Sequence, residues 1–162
     1  PVYEDQKLFE MLILEGFQAG LSWLTILKKR EHFRKAFNYF DVACIAAYDE
    51  DKITELMQNK GIVRNRRKIC AAIQNAKVFL AIQKEYGTFS EYLWGFTNHQ
   101  VQYLQDKEMP VTTPLSDSIS KDLKKRGMKF VGSTIIYSYL QAVGVVHDHH
   151  KGCFLHVDDS NN

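Results

Sequence analysis

DQKLFEMLILEGFQA, residues 5–19, is the stretch from which the chain is best read. Leu8, Met11, Leu12, Glu15 and Ala19 fall at i, i+3, i+4, i+7 and i+11, so they share one helix face. Four of these side chains favour burial, and the fifth is a carboxylate. A buried, unpaired carboxylate costs several kcal/mol, so it persists only with partners or with work to do. Trp23 follows at the start of the next predicted helix. A carboxylate beside a large aromatic hydrogen-bonds and stacks a planar, electron-poor ligand. The alternative is that Glu15 caps a neighbouring backbone or pairs with a buried arginine. The pattern leaves both open.

Outward from this helix, periodicity and capping residues predict helices almost throughout. The first spans about residues 6–17 and stops at Gly20. Ser22 caps a second over 23–37, with Trp23, Ile26, Leu27, Phe33 and Phe37 near one stripe. Asp41 caps a short third helix, and Asp49 a fourth ending near Asn59. A fifth covers 66–85 with Ile69, Ile73, Ala76 and Leu80 inward, and a short aromatic sixth covers 89–96. Residues 98–114 carry two of the three prolines and read as an irregular loop. Ser116 caps a seventh helix ending at Gly127, and Ser133 an eighth ending at Gly144. Neither a repeat nor strong strand alternation is present. The fold expected is all-α, a compact orthogonal helical bundle.

Composition narrows the class. At 162 residues the chain is long enough for one core, and a single domain over 1–162 is expected. Three widely spaced cysteines, Cys44, Cys70 and Cys153, fit a reducing compartment better than a disulfide scaffold. No apolar run approaches the roughly 20 residues of a membrane span, and no secretion signal appears. A cytoplasmic protein without a membrane partner is expected. Pro1 stands where a native chain has Met, so an N-terminal segment is expected to be missing.

The formal net charge of +2 does not by itself indicate a nucleic-acid partner. Its distribution says more. LMQNKGIVRNRRKI, residues 56–69, is a helix end, a glycine, two apolar residues and a basic run opening a helix. Here Gly61 is expected as a left-handed helix-ending residue. The amides after it, around Val63, would then point outward beside Arg64, Arg66, Arg67 and Lys68. Free amides, a helix dipole and nearby arginine make a phosphate site, the design of a helix-hairpin-helix element. The alternative is an ordinary helical turn with a solvated basic face. KDLKKRGMKFVGS, residues 121–133, repeats the arrangement with Lys124, Lys125, Arg126 and Lys129 around Gly127. Two basic hairpins fit a footprint that tracks a nucleic-acid backbone. In the tail, HDHHKGCFLH at residues 147–156 sets His149 and Cys153 four apart, either two ligands to one metal or a solvated histidine cluster.

Three segments together resemble the 3-methyladenine DNA glycosylase I family, constitutive bacterial enzymes of alkyl-base repair. They are KLFEMLILEGFQAGLSWLTILKKRE at 7–31, GIVRNRRKI at 61–69 and LKKRGMKFVGSTIIYSYLQAVGVVHDH at 123–149. The resemblance implies an all-α member of the helix-hairpin-helix glycosylase superfamily. It implies a monomeric, monofunctional DNA glycosylase of base-excision repair, acting on double-stranded DNA that carries alkylated bases. The reaction implied is hydrolysis of the N-glycosidic bond of N3-methyladenine. The family's base-reading glutamate falls on Glu15 and its pocket tryptophan on Trp23. Contacts to DNA are implied for Gly61, Val63, Arg64, Arg66 and Lys129. A structural zinc is implied on His149 and Cys153, with a further Cys and His, and pocket aromatics, from the N-terminal segment expected to be missing. The superfamily's usual aspartate is absent near GMKFVGSTI, as is normal for this family. The competing reading is a non-catalytic DNA-binding or damage-sensing protein of the same fold. It would keep the basic hairpins but gain nothing from burying Glu15.

Overall fold

The computed structural model describes residues 1–19, 21–104 and 111–148, without the side chains of Trp23 and Asp148. Among them are eight α-helices: α1 (Asp5–Gln18), α2 (Trp23–Ala36), α3 (Val42–Ala46), α4 (Glu50–Met57), α5 (Arg66–Tyr86), α6 (Phe89–Gly95), α7 (Pro114–Lys125) and α8 (Ser133–Ala142). A 3-10 turn, Asn38–Phe40, joins α2 to α3.

Helix α1 is the hub, packing on α2, α5, α6 and α8. It therefore buries more than the predicted stripe. Leu8 and Leu12 are inside, and so are Phe9, Ile13, Leu14 and Phe17 on its other sides. Met11 and Ala19 are only partly covered. The start of α1 also holds α6, because the Asp5 carboxylate accepts from the Phe89 and Ser90 amides and from Gln83 Nε2, all within 2.8–2.9 Å. Those amides would otherwise be orphans of the helix start.

Ser22, Asp41 and Asp49 each accept the third amide of the helix they precede, as their sequence positions predict. Two other expected caps are corrected. Thr113, not Ser116, caps α7, with Pro114 at the first position and Ser116 completing a capping box three residues on. Ser133 is already inside α8, where Gly132 takes the cap position. Its hydroxyl bonds Ser116 and Asp117 of α7 instead, closing the α7–α8 pair.

Two inward assignments also fail. Leu27 is 44% exposed, because α2 meets the core along Ile26 and Phe33, with Phe37 just after it; the two phenylalanine rings cluster with Phe17. Leu80 is 36% exposed because the buried face of α5 rotates along its length. The second half of α5 packs on α6, where Phe79 stacks on Phe89 at 4.3 Å. The stretch read as a loop also contains a strand. β1 (Gln102–Leu104) pairs in parallel with β2 (Val146–Asp148), Gln102 opposite Val146.

Candidate active site

Glu15 is 4% exposed in the last turn of α1. It forms no hydrogen bond or ion pair with any described residue. Neither structural role considered for it, backbone cap or partner of a buried arginine, is filled there. Burial alone pushes its carboxyl up to about 7. At neutral pH the group is balanced between acid and carboxylate, so a cation brought against it would tip it to the ionised form.

The residues after Glu15 lie between the roots of both basic hairpins. Gly16 packs toward Phe130 of the α7–α8 turn, and the Phe17 carbonyl accepts from Lys68 Nζ at 3.0 Å. A narrow crevice lined by Leu12, Gly16, Phe17, Lys68, Asn75 and Phe130 marks the junction. Buried Asn75 holds the second hairpin by acting as a peptide mimic. Its Nδ2 donates to the Lys129 carbonyl and its Oδ1 accepts from the Lys129 amide, each at 2.8 Å. The Lys129 side chain is left in solvent. Trp23 opens α2 directly after the joint; its side chain lies outside the described residues.

The first hairpin departs from expectation in three ways. Gly61 is not left-handed, since α4 closes earlier, at Gln58. Glycine is needed there for another reason: a Cβ would meet His32 of α2 at 2.8 Å. Its amide is also occupied, donating to Asn59 Oδ1 at 2.8 Å. Arg66 is tied to Glu50 at 2.7 Å, joining the first turns of α5 and α4. Lys68 does not add to the basic surface. Its ammonium points inward to the carbonyls of Phe17 and Ala19, and burial pushes its pKa down. Arg64 is exposed, and the Val63 and Arg64 amides have no partner among the described residues.

The left-handed glycine expected at the first hairpin occurs at the second. Gly127 has φ +105°, the Met128 amide donates to Leu123 O, and the Gly127 amide to Lys124 O. These are the paired closures of a Schellman motif. Arg126 is spent internally, on Asp122 at 2.8 Å and Glu85 at 2.7 Å. Lys124 and Lys125 remain exposed.

His149 and Cys153 lie outside the described residues. Within the described residues, no group of three or more His, Cys, Asp or Glu side chains could hold a metal. A separate open concavity of about 570 Å³, lined by Tyr86, Tyr92, Phe96, Lys121 and Lys125 among others, contains none of the predicted site residues.

The sequence matches the methyladenine glycosylase family over residues 1–156, nearly the whole chain. The chain belongs to that family. It is 49% identical over 156 residues to DNA-3-methyladenine glycosylase 1 of Escherichia coli, covering 94% of this chain and 83% of that protein. It is 46% identical to DNA-3-methyladenine glycosylase of Haemophilus influenzae, covering 94% and 84%. Among solved structures, 3-methyladenine DNA glycosylase I from Staphylococcus aureus superposes with a TM-score of 0.92 at 37% identity, over 98% of this chain and 86% of that one. A variant of a 3-methyladenine DNA glycosylase I, solved in complex with 3-methyladenine, superposes at 0.91 with 37% identity, over 98% and 87%.

Proposed function

We propose that this protein excises N3-methyladenine from double-stranded DNA, as a monofunctional glycosylase of base-excision repair acting in the cytoplasm as a monomer. The observation that carries the reading is Glu15: a buried carboxylate without a hydrogen-bond or ion-pair partner among the described residues, just before the stretch that meets both basic hairpins, in a member of the methyladenine glycosylase family.

N3-methyladenine in DNA carries a positive charge spread over its ring, so the bond from N9 to C1′ is already weakened. Selectivity must then come from binding. The lesion is extruded from the stack at a cost of a few kcal/mol. Glu15 accepts from the exocyclic amine, and the cation holds the carboxylate ionised. Trp23 offers its face to the charged ring, worth up to about 2 kcal/mol when desolvated. Neutral adenine gains less from both. As the C1′–N9 bond breaks, its electron pair returns to the base, which leaves neutral. Water adds to the oxocarbenium-like sugar and releases a proton. Lys68, beside the end of α1, already donates to two backbone carbonyls. No lysine is thus assigned as a Schiff-base nucleophile, and strand cleavage is not expected.

The hairpins hold the backbone in the manner of helix-hairpin-helix elements, through the free Val63 and Arg64 amides, the Arg64 side chain and Lys129. Arg66, paired with Glu50 at the exposed start of α5, and Gly61, close against His32, belong to the same hairpin. A structural zinc would use His149 and Cys153 with two ligands from elsewhere, and no step of the reaction passes through it.

The test is release of free base from a methylated duplex, with the product identified by chromatography. Released 3-methyladenine with strands that break only on alkaline treatment is the expected result. Equal binding of methylated and undamaged duplex without base release would instead establish a non-catalytic DNA-binding protein.

A further inference from the structure

Lys68 is the one residue of the first basic run whose charge points into the protein. Helix α1 has no basic residue of its own in its last turn. Its C-terminal carbonyls carry the negative end of the helix dipole. Lys68, from the first turn of α5, reaches across and donates to Phe17 O at 3.0 Å and Ala19 O at 2.7 Å. These carbonyls belong to the joint between α1 and α2, with Glu15 just before it and Trp23 just after it. The other hydrogen bonds across the joint are local: Leu21 N to Gln18 O at 2.7 Å, and Gln18 Nε2 to Leu21 O at 2.8 Å. Among the described residues, Lys68 is thus the long-range hydrogen-bonded tie on this joint. At its own end the Lys68 amide is capped by Asn65 Oδ1 at 3.1 Å, directly beside Arg64.

We propose that Lys68 is a positioning residue: its ammonium clamps the end of α1, sets the spacing of Glu15 and Trp23, and couples the Arg64 hairpin to the base pocket. This rests on the reading of Glu15 and Trp23 as that pocket. A neutral side chain would leave two carbonyls at a helix C-terminus without a donor. The joint would then relax, with Glu15 and Trp23 displaced relative to each other. Active sites are sensitive to shifts of this size, and about 1 Å of misplacement costs up to about 100-fold.

Lys68→Met keeps the aliphatic stem and removes the ammonium. Lys68→Arg keeps the charge and the donors, and Lys68→Gln keeps one donor should the Met variant fail to fold. Free 3-methyladenine is titrated by tryptophan fluorescence, and an undamaged duplex by anisotropy. Lys68→Met should weaken free-base affinity by about tenfold or more. Its affinity for the undamaged duplex should stay within about twofold, and Lys68→Arg should recover most of the base affinity. The Gln variant should fall between them. Base affinity unchanged in both neutral variants would overturn the proposal. Loss of duplex affinity alone would do the same, making Lys68 a phosphate contact. Glu15→Gln serves as the control: if it binds free base normally, the pocket reading fails whatever Lys68 does. If it loses base binding while the Lys68 variants keep theirs, only the Lys68 proposal fails.

Discussion

Glu10 and Glu15 lie on the same helix and are both buried, at 8% and 4% exposure, yet their surroundings are opposite. Glu10 faces α2, where Arg34 Nε donates to its carboxylate at 2.6 Å and Arg30 lies at 3.5 Å. Glu15 has no hydrogen-bond or ion-pair partner among the described residues. One carboxylate fastens two helices together; the other makes no such contact among the described residues. Burial of a charge is therefore a poor guide to function until its partners are known. An acid that is buried and left unpaired destabilises the fold, so its retention points to use.

Glu15→Gln should produce the largest divergence between the two sites. The amide is nearly the same shape but cannot hold a cation, so single-turnover excision of N3-methyladenine should fall on the order of 100-fold. Glu10→Gln, compared per folded molecule, should stay close to the parent. If both variants lost excision equally, the distinction would collapse.

Stability should move the other way. The Glu15 carboxyl titrates at about 7 when folded, against an ordinary 4.5. The folded chain keeps a proton that the unfolded chain releases, so stability falls as pH rises from about 4.5 to about 7 and then levels off. The full span is at most about 3 kcal/mol. Glu15→Gln should remove that slope and unfold later than the parent at pH 8, by roughly 1–2 kcal/mol after the cost of burying the amide. Urea melts at pH 5 and pH 8 read this directly. A parent at least as stable at pH 8 as the Gln variant would mean that Glu15 is paired after all.

The smallest effect isolates the Glu10 clamp. Glu10→Gln alone leaves Arg34 with the exposed Glu31 as its remaining acid, and should cost about 1 kcal/mol. Adding Arg34→Met should cost less than the sum of the two single changes. The coupling is a few tenths to about 1 kcal/mol, because Arg34 is partly exposed and its charge is screened. Full additivity would show the contact to be incidental.

Several features were legible in the residues alone. Helix identities came from periodicity, and the Ser22, Asp41 and Asp49 caps from local chemistry that needs no third element. Glu15 stood out because a carboxylate interrupts an apolar stripe, which the sequence displays directly. Glu10 was missed because its partners sit on another helix. Gly61 was given the wrong reason: a glycine after a helix looks like a left-handed terminus, whereas the requirement here is the approach of His32. Lys68 was grouped with its basic neighbours because direction is not encoded in a run of charges.

Local interactions thus decide where helices begin, which faces are apolar and where charge is concentrated, since these depend on residues within a few positions. Asn38, Tyr39 and Phe40 mark the limit of that logic. All three adopt positive φ without a glycine among them, and Phe40 is buried against Phe37. No local preference favours such a run in L-residues; core packing imposes it. The same holds for the partners of each charge. Whether a carboxylate is a clamp or a site, and whether a lysine meets phosphate or holds a helix end, depends on groups distant in sequence. Only the packed chain brings them within hydrogen-bond reach.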